Sequence, residues 1–98
     1  MHKRTRALQI PMKIKKTVYE RDEGKCIWCG MAGDPVVHFI AKSQGGKGIE
    51  QNILTGCAYC HNAYDQTDRR EAYREKARDY LKSKYPDWNE EDLYYKKW

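Results

Sequence analysis

The chain has 98 residues, of which 40% are hydrophobic and 34% charged, and its net charge is +5. A domain of that length buries only about two thirds of its unfolded surface, so an apolar core alone is marginal and a staple is expected. No apolar run approaches the roughly 18 residues of a membrane span, and the basic N-terminus MHKRTRALQIPMKIKK lacks the apolar centre of a secretory signal, so the expected location is cytoplasmic.

The charge is uneven. Residues 1 to 25 carry eight Lys or Arg against three acids, residues 26 to 66 two against three, and residues 67 to 98 nine against eight. The excess therefore lies at the N-terminal end. Residues 1 to 9 lack apolar periodicity and read as a flexible basic arm ahead of a single domain spanning 10 to 98. Such an arm either attracts a polyanion, most simply nucleic acid, or serves as a solubilising tail.

From Pro11 onward Ile14 and Val18 recur four residues apart, which predicts a short amphipathic helix from Pro11 to about Asp22, stopped by Gly24. KCIWCG, Lys25 to Gly30, has the form of a metal knuckle: two thiols two residues apart and a glycine to ease the turn. After a turn-rich connector, Val36 to Ile40 reads as a strand on which Val36, His38 and Ile40 share a face. His38 thus lines a site or packs in the core. SQGGKG, Ser43 to Gly48, reads as a mobile loop of the kind that lets backbone approach phosphate. Asn52 to Thr55 is a second short strand, completing a hairpin.

Cys57-Ala-Tyr-Cys60 runs into a helix that puts His61 and Asp65 on one face. Asp68 and Glu71 resemble a capping box, and Tyr73, Ala77, Tyr80, Leu81 and Tyr85 follow at helical spacing, so a helix to Lys84 is predicted, ended by Pro86. Asn89 then caps a last short helix, NEEDLYYKKW. The aromatic residues of this tail either pack in the core, the preferred reading for most, or stack on bases, with Tyr95 and Trp98 the ones expected to stay exposed.

Two Cys-x-x-C pairs, Cys26 with Cys29 and Cys57 with Cys60, stand 27 residues apart. In a reducing compartment such a quartet is a tetrahedral zinc site more often than a set of disulfides, and a gap longer than that of the common ribbons leaves room for a second feature inside it. Free buried thiols and a redox Cys-x-x-C are the bland alternatives. His61 is also a candidate for the zinc shell beside Cys60, and Asp65 on a helix is ordinarily a solvated acid.

The order histidine on a strand, glycine-rich loop, asparagine, Cys-x-x-C-His is specific. From RDEGKCIWCG through VVHFIAKSQGG to EQNILTGCAYCHNAYD, Arg21 to Asp65, the chain resembles the HNH endonucleases. The tail from Asp68 to Trp98 is similar to small phage-type HNH proteins. The resemblance implies a small α+β fold, with a zinc-stapled ββα-metal core over about 24 to 66 and C-terminal helices over about 68 to 97. It implies that His38 is the general base, that Asn52 fixes the segment carrying His38 or ligates metal, and that His61, with Asp65, binds one catalytic divalent ion: Mg²⁺, Mn²⁺, Ni²⁺ or Zn²⁺. Cys26, Cys29, Cys57 and Cys60 would hold structural Zn²⁺. The substrate would be double-stranded DNA, nicked or cut with little sequence preference, in a bacterial or phage-infected cell with a terminase as partner.

One position departs from the family pattern: Val37 stands where many relatives carry a metal-binding His or Asp, and a valine binds no metal. That departure motivates the competing expectation, a zinc-stabilised nucleic-acid-binding or packaging module without catalysis. A thiol oxidoreductase is the third reading, and tightly held stoichiometric zinc excludes it.

Overall fold

The computed structural model describes residues 8 to 66 and 68 to 95. Its elements in chain order are helix α1 (Met12–Arg21), strand β1 (Asp34–His38), a 3-10 turn (Lys42–Gln44), strand β2 (Ile53–Gly56), helix α2 (Ala58–Gln66), helix α3 (Arg70–Lys84) and a second 3-10 turn (Glu90–Leu93). Among these residues no helix is long and apolar enough to cross a membrane.

The expected basic arm falls mostly on residues 1 to 7, outside the described residues, but Leu8 is 3% exposed. Packing therefore begins two residues ahead of the boundary expected from the lack of apolar periodicity. Pro11 takes the N-cap of α1 with extended backbone, and Glu23 and Gly24, both at positive φ, turn the chain away after Asp22.

β1 and β2 form a two-stranded antiparallel sheet in which Val37 faces Leu54 and His38 faces Ile53. The register slips between Asp34 and Val37, and Pro35, which has no N–H to give a ladder, sits in that irregularity. The strand begins at Asp34 and stops at His38, so the expected span Val36 to Ile40 is corrected at both ends. Its early stop has a local cause: the Ile40 N–H goes to Asn52 Oδ1 at 2.8 Å instead of to the facing strand. Ile40 consequently leaves the face it was expected to share with His38 and joins the core.

The core is the cluster Val37, Phe39, Ile40, Leu54, Tyr64, Ala77, Leu81 and Leu93, with Tyr73, Tyr80, Tyr85, Trp88 and Tyr94 packed on it. Those tail aromatics are core, as their spacing predicted. Tyr95 is half-buried where exposure was expected, and Trp98 lies outside the described residues. α3 ends at Lys84 as predicted, but Asp68 does not cap it. Arg69 occupies the N-cap with helical dihedrals and no side-chain cap bond, which places Asp68 one residue too early.

The last helix is also shorter than its pattern. Asn89 Oδ1 accepts from the Glu91 N–H at 3.0 Å, but only one 3-10 turn forms. Tyr94 then becomes extended and bridges to Gly46, with Lys47 N–H on Leu93 O at 2.9 Å and Tyr95 N–H on Gly45 O at 2.7 Å. These bonds order the glycine loop, which was expected to be mobile: Gly45, Gly46 and Gly48 are buried. The glycines serve close approach. A Cβ on Gly46 would lie 1.7 Å from the Ile40 carbonyl oxygen, and one on Gly48 would lie 1.8 Å from that of Gln9.

One ionic cluster ties three elements together. Arg21 at the end of α1 donates to Asp22 from Nε at 2.7 Å and Nη2 at 2.9 Å, to the Ile53 carbonyl of β2 at 2.8 Å, and to Tyr85 Oη at 3.1 Å. Asp22 also accepts from Tyr80 Oη on α3 at 2.5 Å and from the Thr55 N–H at 3.0 Å. Burial works to raise the Asp22 carboxyl, yet the Arg21 and Tyr80 bonds outweigh it and hold the carboxyl below its ordinary value of 3.8. Its contribution to stability is therefore present above that value and lost as pH falls through the lowered one. Asp22→Ala would leave the Arg21 guanidinium buried without its partner, and a urea titration near neutral pH should show a loss of about 3–5 kcal/mol. A loss under about 1 kcal/mol would mean that the cluster is solvated and contributes little.

Candidate functional site

The four cysteines come together from two directions. The knuckle is closed by the Cys26 N–H on Met31 O at 2.6 Å and the Gly30 N–H on Cys26 O at 2.9 Å, with Gly30 at a φ of 81°. It is fastened to β2 by the Ile27 N–H on Thr55 O at 3.1 Å, and to α3 by Trp28 Nε1 on Tyr73 O at 2.9 Å. Cys57 and Cys60 enter from the start of α2, where the Cys60 N–H points at Cys57 Sγ at 3.4 Å.

All four Sγ atoms lie within 4.8 Å of one another, with Cys29 and Cys57 at 3.6 Å. Sulfurs bound at about 2.3 Å around a tetrahedral ion stand about 3.8 Å apart, whereas a disulfide needs about 2.05 Å. The quartet can hold a metal ion. Its proton chemistry agrees: burial works to raise Cys26, but the backbone N–H groups of Cys57, Cys29 and Trp28 bring it down to about 7. Cys60 is pushed up, first by burial and then by the neighbouring thiols. One thiolate forms readily, and several together need a cation between them. His61 is outside this shell, which cysteines alone complete.

A cavity of about 560 Å³ lies between β1, α1 and α2, and its lining includes Lys15, Val36, His38, Lys42, His61 and Asp65. The sheet and helix thus bring His38, His61 and Asp65 to one space, as their order in the chain predicted. Tyr64 Oη of α2 donates to the Phe39 carbonyl, next to His38, at 2.5 Å and fixes the helix to the strand.

His38 Nε2 lies 3.1 Å from the Leu8 carbonyl oxygen. A carbonyl only accepts, so this bond requires the proton on Nε2 and leaves Nδ1 as the free base. Burial lowers the His38 pKa below 6.5, and the charges of Lys42 and His61 lower it further against the opposing Leu8 carbonyl and Asp65. The imidazole is neutral at pH 7. His61 Nε2 and Asp65 Oδ2 are 3.1 Å apart with side chains 35% and 46% exposed, so both reach solvent.

Asn52 is 0% exposed. Its Oδ1 accepts from the Ile40 N–H, while Nδ2 donates to the Lys47 carbonyl at 2.8 Å and the Ile40 carbonyl at 3.3 Å. Both ends of the amide are committed to backbone, so of the two expected roles Asn52 has the fixing one. It pins the segment after His38 to the glycine loop. Asn52→Ala strands a buried N–H and two carbonyls, and chemical denaturation should report a loss of about 2–4 kcal/mol. Asn52→Asp should not restore it, because a carboxylate would face those same carbonyls. A fully stable Asn52→Ala would show that water replaces the amide.

Val37 is 0% exposed and packs in the core, while its neighbours Val36 and His38 line the cavity. Three participants escaped the sequence reading: the Leu8 carbonyl, Lys15 and Lys42. An isolated leucine within a basic arm was the available signal for the first. The lysines had none, because charge spacing does not reveal which of many lysines faces a cavity.

The arrangement defines a small α+β protein with a four-cysteine cluster able to hold a metal ion and a cavity lined by His38, His61 and Asp65. No protein-family model, curated protein or solved structure matches the chain.

Proposed function

We propose that this protein is a metal-dependent endonuclease of the HNH type, with a ββα-metal core formed by β1, β2 and α2, that hydrolyses phosphodiester bonds of double-stranded DNA with little sequence preference. The observation that carries the reading is His38, held neutral with Nδ1 free, in one cavity with His61 and Asp65. Zinc is the ion proposed for Cys26, Cys29, Cys57 and Cys60, since four thiolates favour it.

In this reading His38 Nδ1 takes a proton from water as the oxygen attacks phosphorus, and the P–O3′ bond breaks to give a 5′ phosphate and a 3′ hydroxyl. His61 and Asp65 would hold the catalytic ion. Their donor atoms, 3.1 Å apart, match the edge of an octahedral shell with ligands at about 2.1 Å, which is about 3.0 Å. An ion held by His61 and Asp65 would supply Lewis-acid stabilisation of charge on the phosphate and the leaving oxygen. Asn52 keeps His38 and the glycine loop in register.

The burial of Val37 favours a second reading, a zinc-stabilised nucleic-acid-binding module without catalysis, because that position offers the ion nothing. Plasmid cleavage by zinc-loaded protein, with Mg²⁺, Mn²⁺, Ni²⁺ or Zn²⁺ added in turn and His38→Ala prepared identically, separates the two. The expected result is ion-dependent nicking or linearisation that disappears in the variant. No cutting by folded wild-type protein with any ion would transfer the assignment to the binding module.

A further inference from the structure

We infer that Lys42 and Lys15 form a two-point phosphate clamp in the His38 cavity, Lys42 on the scissile phosphodiester and Lys15 on a neighbouring phosphate of the same strand. The inference rests on the nuclease reading for the word scissile, but the clamp itself rests on the cavity.

The two lysines reach the cavity from separate elements, Lys15 from the middle of α1 and Lys42 from the turn that follows β1. Lys15 is half-buried, while Lys42 is exposed. Among the described residues neither ammonium has a carboxylate within 4.0 Å, in contrast to Arg21, Arg74 and Arg78, each of which has one. Asp65 is the acid that lines the cavity, and it is bonded to His61. Before any ion is bound, the cavity lining carries two lysines against one carboxylate, a balance that favours an anion. A phosphodiester is such an anion.

Chemistry narrows the ligand further. An ammonium is a compact point charge that suits phosphate oxygens, and a cavity of about 560 Å³ admits a nucleotide unit with room beside it. Lys42 and His38 line the same cavity, and the positive charge of Lys42 adds to burial in lowering the His38 pKa. Charge on the phosphate grows as the attacking oxygen bonds, so a cation near the base is worth more in the transition state than in the ground state.

The test uses the full zinc-loaded chain and a fluorescein-labelled 20-base-pair duplex, with anisotropy measured across an NaCl series without added divalent ion. Lys15→Gln and Lys42→Gln should each reduce the slope of log Kd against log[NaCl] by about 1, and Lys82→Gln, which lines no described cavity, should leave it unchanged. Lys15→Arg should restore the slope, separating lost charge from lost packing. In single-turnover cleavage with Mn²⁺, Lys42→Gln should lower the rate constant by about a hundredfold and Lys15→Gln should chiefly weaken binding. Slopes indistinguishable from that of Lys82→Gln in both cavity variants would overturn the clamp, even if the wild type cleaves DNA. Reduced slopes in both cavity variants, together with a folded wild type that fails to cut DNA with any added ion, would retain the clamp and reject the nuclease reading.

Discussion

Removing the metal from the cysteine quartet is expected to unfold the domain. The two-stranded sheet, α2 and α3 share one core cluster of eight buried residues, to which α1 contributes none, and a two-stranded sheet is marginal by itself in water. Cys26 and Cys29 belong to a knuckle joined to β2 and α3, while Cys57 and Cys60 begin α2, so an ion held by the quartet would cross-link segments about 30 residues apart in the chain. Binding of zinc to such a set contributes on the order of 10 kcal/mol, as much as the whole stability of a typical domain, roughly 5–15 kcal/mol. Chelation of purified protein should therefore release about one equivalent of zinc together with most of the helical far-UV signal, and restoring the ion should restore both. Cys60→Ser, at a buried ligand, should be more damaging than Cys29→Ser at the exposed one. A metal-free chain that still melted cooperatively at an unchanged temperature would show that the core suffices and that the quartet is dispensable for folding.

What the sequence made legible follows from how locally each feature is encoded. The cysteine pairs and the helix ending at Lys84 are written in spacing: two residues between thiols, and three- and four-residue steps for Tyr73, Ala77, Tyr80, Leu81 and Tyr85. His38, His61 and Asp65 could be placed together because a strand, a short loop and a helix leave few ways to arrange them. The errors have a different origin. β1 stops at His38 because a side chain twelve residues away captures the Ile40 amide. The glycine loop is ordered because the backbone of residues 93 to 95 pairs with it. Leu8 reaches the site through a carbonyl, which every residue possesses. Long-range bonds to backbone leave no periodicity to read, and they set the ends of elements and the order of loops. The same limit applies to Lys15 and Lys42.

His38→Gln is expected to abolish cleavage while the domain stays folded, and it is more informative than the alanine variant. A glutamine carries an Nε2–H₂ group that can donate to the Leu8 carbonyl, preserving the bond that His38 makes at 3.1 Å, but it has no nitrogen able to accept a proton. The loss should be about 10²–10⁴-fold, the usual contribution of a positioned base, with zinc content unchanged and stability within about 1 kcal/mol of wild type. The pH profile provides a second measurement. If His38 is the base, as proposed, cleavage requires the neutral imidazole, and burial together with Lys42 and His61 lowers the His38 pKa, so the acid limb of single-turnover cleavage should lie below the ordinary 6.5. The rate then falls as pH drops through that lowered value. Stability shifts in the same direction: because the folded pKa lies below the unfolded one, the unfolded chain binds the proton more readily, and the contribution of His38 is complete above 6.5 and declines as the solution is acidified. Lys42→Gln should move the acid limb upward toward 6.5. Cleavage that survived His38→Gln, or an acid limb above 6.5, would remove His38 from the role of base.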